Sequence, residues 1–219
     1  MTDNLTSALW ADVNEHMRKC HLSKVDPAAA SEADWEKTFE LLVSAIHDER
    51  KLNPTFAAEI TELTDETGNT YGFADILEEY FDHLEDREEW DSVIRSADEI
   101  MGLFKWEKKL PSEYMFRKGN ALEKSKRYDE AESFGKEWLE KYPYDLYAAA
   151  SNVFLKVELK KYDEAEAITK KYLRDDLICD NTTDTFFMAA YRLFEITEDI
   201  NAKQRVEKKM AEYSAMVNK

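Results

Sequence analysis

Metal-binding side chains cluster at one place in the sequence, close to its start. His16 and Cys20 are four residues apart, so a helix would place them on one face, and His21 follows directly. Imidazole nitrogens and thiolates bind Zn²⁺, but a structural zinc site takes four ligands and a catalytic site takes three. The other histidines and the second cysteine are isolated in the sequence: His47, His83 and Cys179. We therefore expect no metal and no cofactor.

Sequence motifs of known catalytic sites are absent. There is no Gly-rich phosphate loop, no G-x-S-x-G and no H-E-x-x-H. Adjacent carboxylates such as Glu78 and Glu79 are too common in a chain with 47 Asp and Glu to indicate acid-base catalysis. We expect no catalytic residue and a protein that is not an enzyme. The alternative hypothesis is an enzyme or metal site in the N-terminal helices, around His16, Cys20 and His47.

The charge balance is strongly acidic. Thirty Lys and Arg against 47 Asp and Glu leave a net charge of −17. This charge should repel nucleic acid and anionic lipid headgroups and should favour basic protein partners. We expect a protein or peptide partner, no nucleic acid and no membrane, although the charge is also explained by solubility alone.

Cysteine content and hydropathy indicate the compartment. Only two cysteines in 219 residues fit a reducing cytosol better than a secreted protein. The first sixteen residues do not read as a secretory signal, and no run of 18 apolar residues could span a membrane. We expect a cytoplasmic protein.

The residue composition and periodicity predict an all-α protein. Five Gly and four Pro are few for this length. Apolar residues recur at helical spacing before residue 70 and predict three helices, the third beginning at Pro54, with a loop over 22–31. After residue 71 the pattern predicts pairs of helices joined by short turns, about eleven helices in total. We predict an N-terminal region over 1–70 and a helical array over 71–219, continuous with it.

One heptapeptide occurs twice in the array, with a single difference between the two copies. "KRYDEAE" lies at 126–132 and "KKYDEAE" at 160–166, which gives a period of thirty-four residues. The tyrosine would pack against the turn, the small alanine would let two helices approach closely, and Asp129 and Asp163 would cap the second helix of each pair.

The period and its two helices per unit resemble the tetratricopeptide repeat. In the unit from Ser112, Gly119 matches the glycine position, Ala131 the alanine position and Pro143 the closing proline. Weaker units lie at about 74–107 and 183–217, so the resemblance covers about two thirds of the chain. It implies antiparallel hairpins stacked as a right-handed superhelix. The alternative is a non-repeating helical bundle that reuses one turn.

The resemblance also implies a binding site. The first helices of such hairpins line a concave groove that holds a segment of a partner protein. The acidic end of the expected groove comprises Asp75, Glu78, Glu79 and Asp82, and the remainder comprises Phe116, Asn120, Tyr147, Phe154, Phe187 and Tyr191. Such a groove suits a basic segment with apolar anchors, and the predicted function is a non-catalytic interaction module or adaptor. The alternative is an acidic regulator or neutraliser of a basic protein, whose binding would weaken strongly with salt.

Overall fold

The regular secondary structure of the described residues is entirely helical. The computed structural model describes residues 3–26, 33–63 and 72–217, which form ten α-helices, one short 3₁₀ helix and no strand. This confirms the all-α prediction and nearly matches the predicted number of helices. None of the described helices is both long enough and apolar enough to cross a lipid bilayer.

The chain divides into two compact units, Met1–Leu110 and Pro111–Lys219. The boundary predicted from sequence, near 68–71, falls within 64–71, which lies outside the described residues. The division into 1–70 and 71–219 therefore stays a prediction.

Four α-helices lie in the described part of the first unit. Residues of α1, α2 and α3 that are fully removed from solvent include Val13, Met17, Ile46 and Phe81, and each such side chain contributes about 1.5–3 kcal/mol by burial. In this unit α1 packs on α2, α2 on α3 and α3 on α4. The helices are α1 Asp3–Val25, α2 Trp35–Leu52, the 3₁₀ helix Ile60–Glu62, α3 Phe73–Asp86 and α4 Trp90–Leu103.

The helix predicted to begin at Pro54 does not begin there, and that predicted start was wrong. Residues 54–59 form turns and bends, the 3₁₀ helix Ile60–Glu62 follows, and Leu63, the last residue described before 72, is helical. Ala57 has a φ of 41°, outside the right-handed helical region. The Arg50 guanidinium donates hydrogen bonds to three backbone carbonyls, those of Phe56, Ala57 and Leu103. The chain bends here because two of its carbonyls bond a side chain instead of helical amides.

Helix α1 runs further than predicted. The expected loop over 22–31 is helical up to Val25, and the Asp26 amide still donates to the Leu22 carbonyl at 2.8 Å. Residues 27–32 lie outside the described residues. The segment has no helix-breaking residue before Pro27, so nothing in its sequence ends the helix earlier.

The second unit consists of three helical hairpins. Helix α7 packs against both α5 and α9, so the first helices of the three hairpins are neighbours. Small buried residues at the α7–α9 contact, among them Ala149, Ala150, Ala189 and Ala190, allow the two helices to approach closely. The helices are α5 Ser112–Lys124, α6 Tyr128–Lys141, α7 Leu146–Glu158, α8 Tyr162–Tyr172, α9 Asp184–Ile196 and α10 Ile200–Val217.

One carboxylate ties three of these helices together. Oδ2 of Asp145 accepts hydrogen bonds from the Ser112 hydroxyl at 2.6 Å and from the Trp138 indole Nε1 at 2.9 Å. Its Oδ1 accepts from the Tyr147 amide at 3.0 Å and so caps α7. Asp145 therefore fixes the start of α7 relative to α5 and α6.

Four hairpins in the chain close with the same turn, the Schellman motif. In each, the residue before the second helix donates its amide to a carbonyl five residues earlier, at 2.8–3.0 Å, as Arg127 does to Leu122. Glycine usually occupies the left-handed position of this motif, but here it holds a charged residue each time. These residues are Glu88, Lys126, Lys160 and Glu198, with φ of 57°, 61°, 58° and 58°.

The prediction that Asp129 and Asp163 are N-caps was wrong. The N-cap positions are Arg127 and Lys161, and neither cap makes a side-chain hydrogen bond to the helix. The two aspartates lie inside the first turns of α6 and α8, where a negative charge is stabilised by the helix dipole. The last residue of each Schellman turn, Arg127 or Lys161, is also the N-cap of the helix that follows. Each second helix therefore starts before the aspartate.

Candidate functional site

Three aromatic side chains meet on the first helices of the second unit. The ring of Phe116 on α5 lies 5.9 Å from the ring of Tyr147 and 6.4 Å from that of Phe154, both on α7, in edge-to-face geometry. All three side chains are half-buried. We call these three residues the aromatic surface. Their mutual contact holds the rings in place while leaving part of each exposed to a partner.

Gly119 of α5 lies close to α7. A Cβ atom at Gly119 would lie 2.7 Å from the Ser151 hydroxyl of α7, so that hydroxyl would have to move. The approach of the two helices brings Phe116 within reach of Tyr147 and Phe154.

Two further predicted site residues lie near the aromatic surface, Asn120 on α5 and Tyr191 on α9. Asn120, one turn along α5 from Phe116, is half-buried. Tyr191 on α9 is also half-buried, and its ring faces the Lys203 ammonium at 4.7 Å. Lys203 also pairs with Glu195 at 2.8 Å. Tyr191 is therefore already engaged by a cation of the chain itself.

Phe187 occupies a different environment from the other predicted aromatic residues. Its side chain is fully buried in the core of the second unit, together with Phe186 and Leu193. It offers no surface to a partner in this conformation, and its contribution is to packing. The sequence pattern cannot distinguish the two environments because core and surface aromatic residues recur at the same helical spacing.

Carboxylates border Tyr147. The pKa of the Tyr147 phenol is raised, first because the group is partly buried and then because the Asp184 and Glu113 carboxylates disfavour a second negative charge. The Thr185 hydroxyl acts in the opposite direction by hydrogen bonding. The phenol is neutral at physiological pH and sits in a negative local field.

Glu123 is a poorly compensated carboxylate on α5. Burial raises its pKa, and the Glu158 carboxylate adds to this, while Lys124 and Arg192 lower it. The Arg192 guanidinium lies 4.0 Å from Glu158, at the edge of ion-pair distance. A cationic side chain placed near Glu123 by a partner would therefore gain a favourable interaction.

The predicted acidic end lies on α3, in the first unit. Asp75 and Glu78 are exposed, and Asp82 is half-buried. Oε1 of Glu79 lies 3.7 Å from the His21 imidazole, and its Oε2 is buried without a hydrogen-bond partner among the described residues. Two of the four carboxylates are thus open to a ligand, while Glu79 faces α1.

The residues of the alternative hypothesis, His16, Cys20 and His47, lie on α1 and α2. Cys20 is buried with its Sγ 3.1 Å from the Thr38 hydroxyl, and burial raises the pKa of its thiol, which disfavours the reactive thiolate. Nε2 of His16 lies 3.9 Å from Asp12, and His47 is exposed. Within the described ranges, no three His, Cys, Asp or Glu side chains are placed to hold a metal ion.

Two charged residues near Glu123, on the helices of the aromatic surface and beside it, were not predicted from the sequence. Glu158 ends α7 and Arg192 lies on α9, and the two are brought together only because α7 packs against α9. No sequence motif connects them. The charge at this edge of the surface is a product of tertiary packing.

Comparison with known proteins gave no relative: no protein-family model, no curated protein and no solved structure matches the chain.

Proposed function

We propose that this protein is a non-catalytic interaction module that binds a segment of a partner protein on its aromatic surface. The observation that carries the proposal is the contact of Phe116 with Tyr147 and Phe154 on neighbouring helices, with all three rings still partly exposed. Aromatic residues held in place by their neighbours lose little entropy on binding and are frequent binding hot spots.

We further propose that the hairpins stack in the manner of tetratricopeptide repeats, as a right-handed superhelix. Support comes from the thirty-four residues between Lys126 and Lys160, which occupy the same position in identical turns. The close approach of α5 and α7 at Gly119 supports it as well. In such an array the aromatic surface would belong to the concave groove.

The partner segment that suits this surface is basic with apolar or aromatic anchors. The aromatic surface supplies apolar contact area, and Glu113, Glu123 and Asp184 supply negative charge beside it. The net charge of −17 would also accelerate association with a basic partner. The two free, buried cysteines fit a cytoplasmic location, which we include in the proposal.

The proposal is tested by selecting peptides from a random phage-displayed library on the full-length protein and measuring the affinity of a selected peptide calorimetrically. We expect enrichment of sequences that combine Lys or Arg with aromatic or large aliphatic residues. Tyr147→Ala should weaken binding about 30-fold, as expected for loss of a hot spot of about 2 kcal/mol.

The matched control is Tyr144→Ala. Tyr144 lies in the turn before α7 and is 92% exposed, so its removal should leave both folding and affinity unchanged. Circular dichroism and thermal unfolding verify that both variants fold. If Tyr147→Ala binds the peptide as tightly as the wild type, the aromatic surface is not the site.

The second candidate function, an acidic regulator of a basic protein, is favoured by the exposed Asp75 and Glu78 and by the overall charge. It differs from the first in its salt dependence, because charge-dominated binding weakens steeply with ionic strength while apolar anchoring persists. Binding that disappears at high salt and is unaffected by Tyr147→Ala would support this second function.

A further inference from the structure

A pocket in the second unit has the opposite charge to the rest of the protein. It lies between the segment that follows α8 and helix α10, and its volume is about 260 Å³. Four cationic and two acidic residues line it, in a chain whose net charge is −17. Its lining residues are Leu173, Arg174, Asp175, Arg205, Val206, Lys208, Lys209 and Glu212.

One wall of the pocket is held in place by a lysine. The Lys209 ammonium donates hydrogen bonds to the backbone carbonyls of Asp175, at 2.7 Å, and of Leu177. These bonds attach the segment after α8 to α10, so the wall does not need to be ordered by a ligand. Pre-organised walls lower the entropy lost on binding.

The cations at the mouth differ in how they are compensated. Arg174 pairs with Asp176 at 3.2 Å, and Lys208 lies 3.9 Å from Glu212. The Arg205 side chain is exposed and makes neither an ion pair nor a hydrogen bond with any described residue. Arginine is the side chain best suited to a carboxylate or phosphate, because its planar fork can donate two parallel hydrogen bonds.

The pocket is also partly apolar. Leu173 lines the cavity and is half-buried, so part of its side chain is open to a ligand, whereas Val206 lies in the cavity wall and is almost fully buried. A cavity of about 150 Å³ is sufficient for benzene. The available volume of about 260 Å³ therefore admits one ring or a short aliphatic chain with an anionic group, and is too small for a dinucleotide.

We propose that this pocket binds a small organic anion, with its carboxylate or phosphate at Arg205 and Lys208 and its apolar part against Leu173. Distant carboxylates of the chain do not prevent such binding, because charges more than about 8 Å away are largely screened at physiological ionic strength. The site is separate from the aromatic surface and takes ligands of the opposite charge, so neither proposal depends on the other.

The experiment is a titration of the isotopically labelled full-length protein, followed by amide chemical shifts in NMR, with phenyl phosphate, benzoate and benzyl alcohol as probes. We expect saturable shifts at residues 173–177 and 205–212 with the two anions, and much weaker binding of neutral benzyl alcohol. Comparison of the two anions distinguishes a phosphate site from a carboxylate site. Equal affinity for benzyl alcohol, or the absence of a saturable shift with either anion, would overturn the proposal.

Variants of the same charge change test the role of Arg205. Arg205→Gln should weaken phenyl phosphate binding about tenfold, the effect of losing a charge-assisted hydrogen bond. Lys124→Gln changes the net charge equally at an exposed position of α5 that does not line the pocket, and should leave the affinity unchanged. Lys208→Gln provides a second lining variant with the same expectation as Arg205→Gln. If Lys124→Gln weakens binding as much as the lining variants, the anion responds to overall charge and no site exists.

Discussion

The connection between α2 and α3 and the four hairpin turns solve the same problem in different ways. Both must reverse or redirect the chain between helices without leaving buried backbone groups unpaired. In the α2–α3 connection the Arg50 side chain bonds the carbonyls, whereas in the hairpins the backbone bonds itself. A turn made by the backbone can be repeated with many sequences, but a connection in which one side chain bonds three carbonyls is sensitive to the loss of that residue.

The largest effect is therefore expected at Arg50. Arg50→Met should destabilise the protein by about 3 kcal/mol, because three backbone carbonyls lose a charged donor and each such loss costs about 1–3 kcal/mol. Urea unfolding measures the change. Arg87→Met removes an exposed arginine paired with Glu89 in the same unit and should shift stability by no more than about 0.5 kcal/mol. Equal effects of the two substitutions would remove the contrast between the two kinds of connection.

A smaller loss is expected at Asp145, the carboxylate that ties α5, α6 and α7. Asp145→Asn keeps the shape, but whichever way the amide is oriented, its NH₂ group meets a hydrogen-bond donor. The donors are the Trp138 indole, the Ser112 hydroxyl and the Tyr147 amide. We expect a loss of about 2 kcal/mol by thermal or urea unfolding.

The control for this change is Asp129→Asn. Asp129 lies in the first turn of α6 and is exposed, so it loses only an interaction with the helix dipole, about 0.5 kcal/mol. A loss at Asp129 as large as at Asp145 would restore the aspartate as a cap and contradict the described turn.

The hairpin turns predict a gain in stability. Lys160 is held at φ 58°, a conformation that glycine adopts without steric cost. Lys160→Gly should stabilise the protein by ~0.5–1 kcal/mol, after allowing for the greater freedom of glycine in the unfolded chain. Lys136→Gly, in the middle of α6 and exposed, should destabilise it by about 1 kcal/mol. The melting temperatures of the two variants measure these changes, which we expect to have opposite signs. A lower melting temperature for both variants would contradict the left-handed turn.

The smallest effect is expected at Glu123, a partly buried carboxylate of the second unit. Burial raises its pKa above the ordinary 4.5 in the folded protein, so the folded state binds the proton more readily than the unfolded chain. The stabilisation that comes from this difference in proton binding is fully present below pH 4.5 and is lost as the pH rises through the raised pKa of Glu123. Glu123→Gln should therefore raise the melting temperature near neutral pH and change it little well below 4.5.

The matched control is Glu207→Gln, at an exposed position of α10. It changes the net charge equally and should show no comparable dependence on pH. A melting temperature for Glu123→Gln that stays level with the wild type at every pH would indicate that the carboxylate is solvated.

The all-α class and the hairpin helices were predictable because apolar spacing and helix propensity are local properties of the sequence. The bend after Asn53 was not, because it depends on Arg50 reaching the Leu103 carbonyl, fifty-three residues away. The turn residues were missed because Lys and Glu replace the glycine that would have indicated the left-handed position. The burial of Phe187 and the half-exposure of Phe154 were equally hidden, since the two share a helical pattern and differ only in what packs over them.

The hydrogen bond between Trp138 and Asp145 gives the second unit its own spectroscopic reporter. Four of the five tryptophans precede residue 111, and Trp138 is the one that follows it. Its indole is almost fully buried and is bonded to a carboxylate, so its emission will change when that environment opens. A difference spectrum between the wild type and Trp138→Phe isolates this emission, which allows melting of the second unit to be followed without any attached dye.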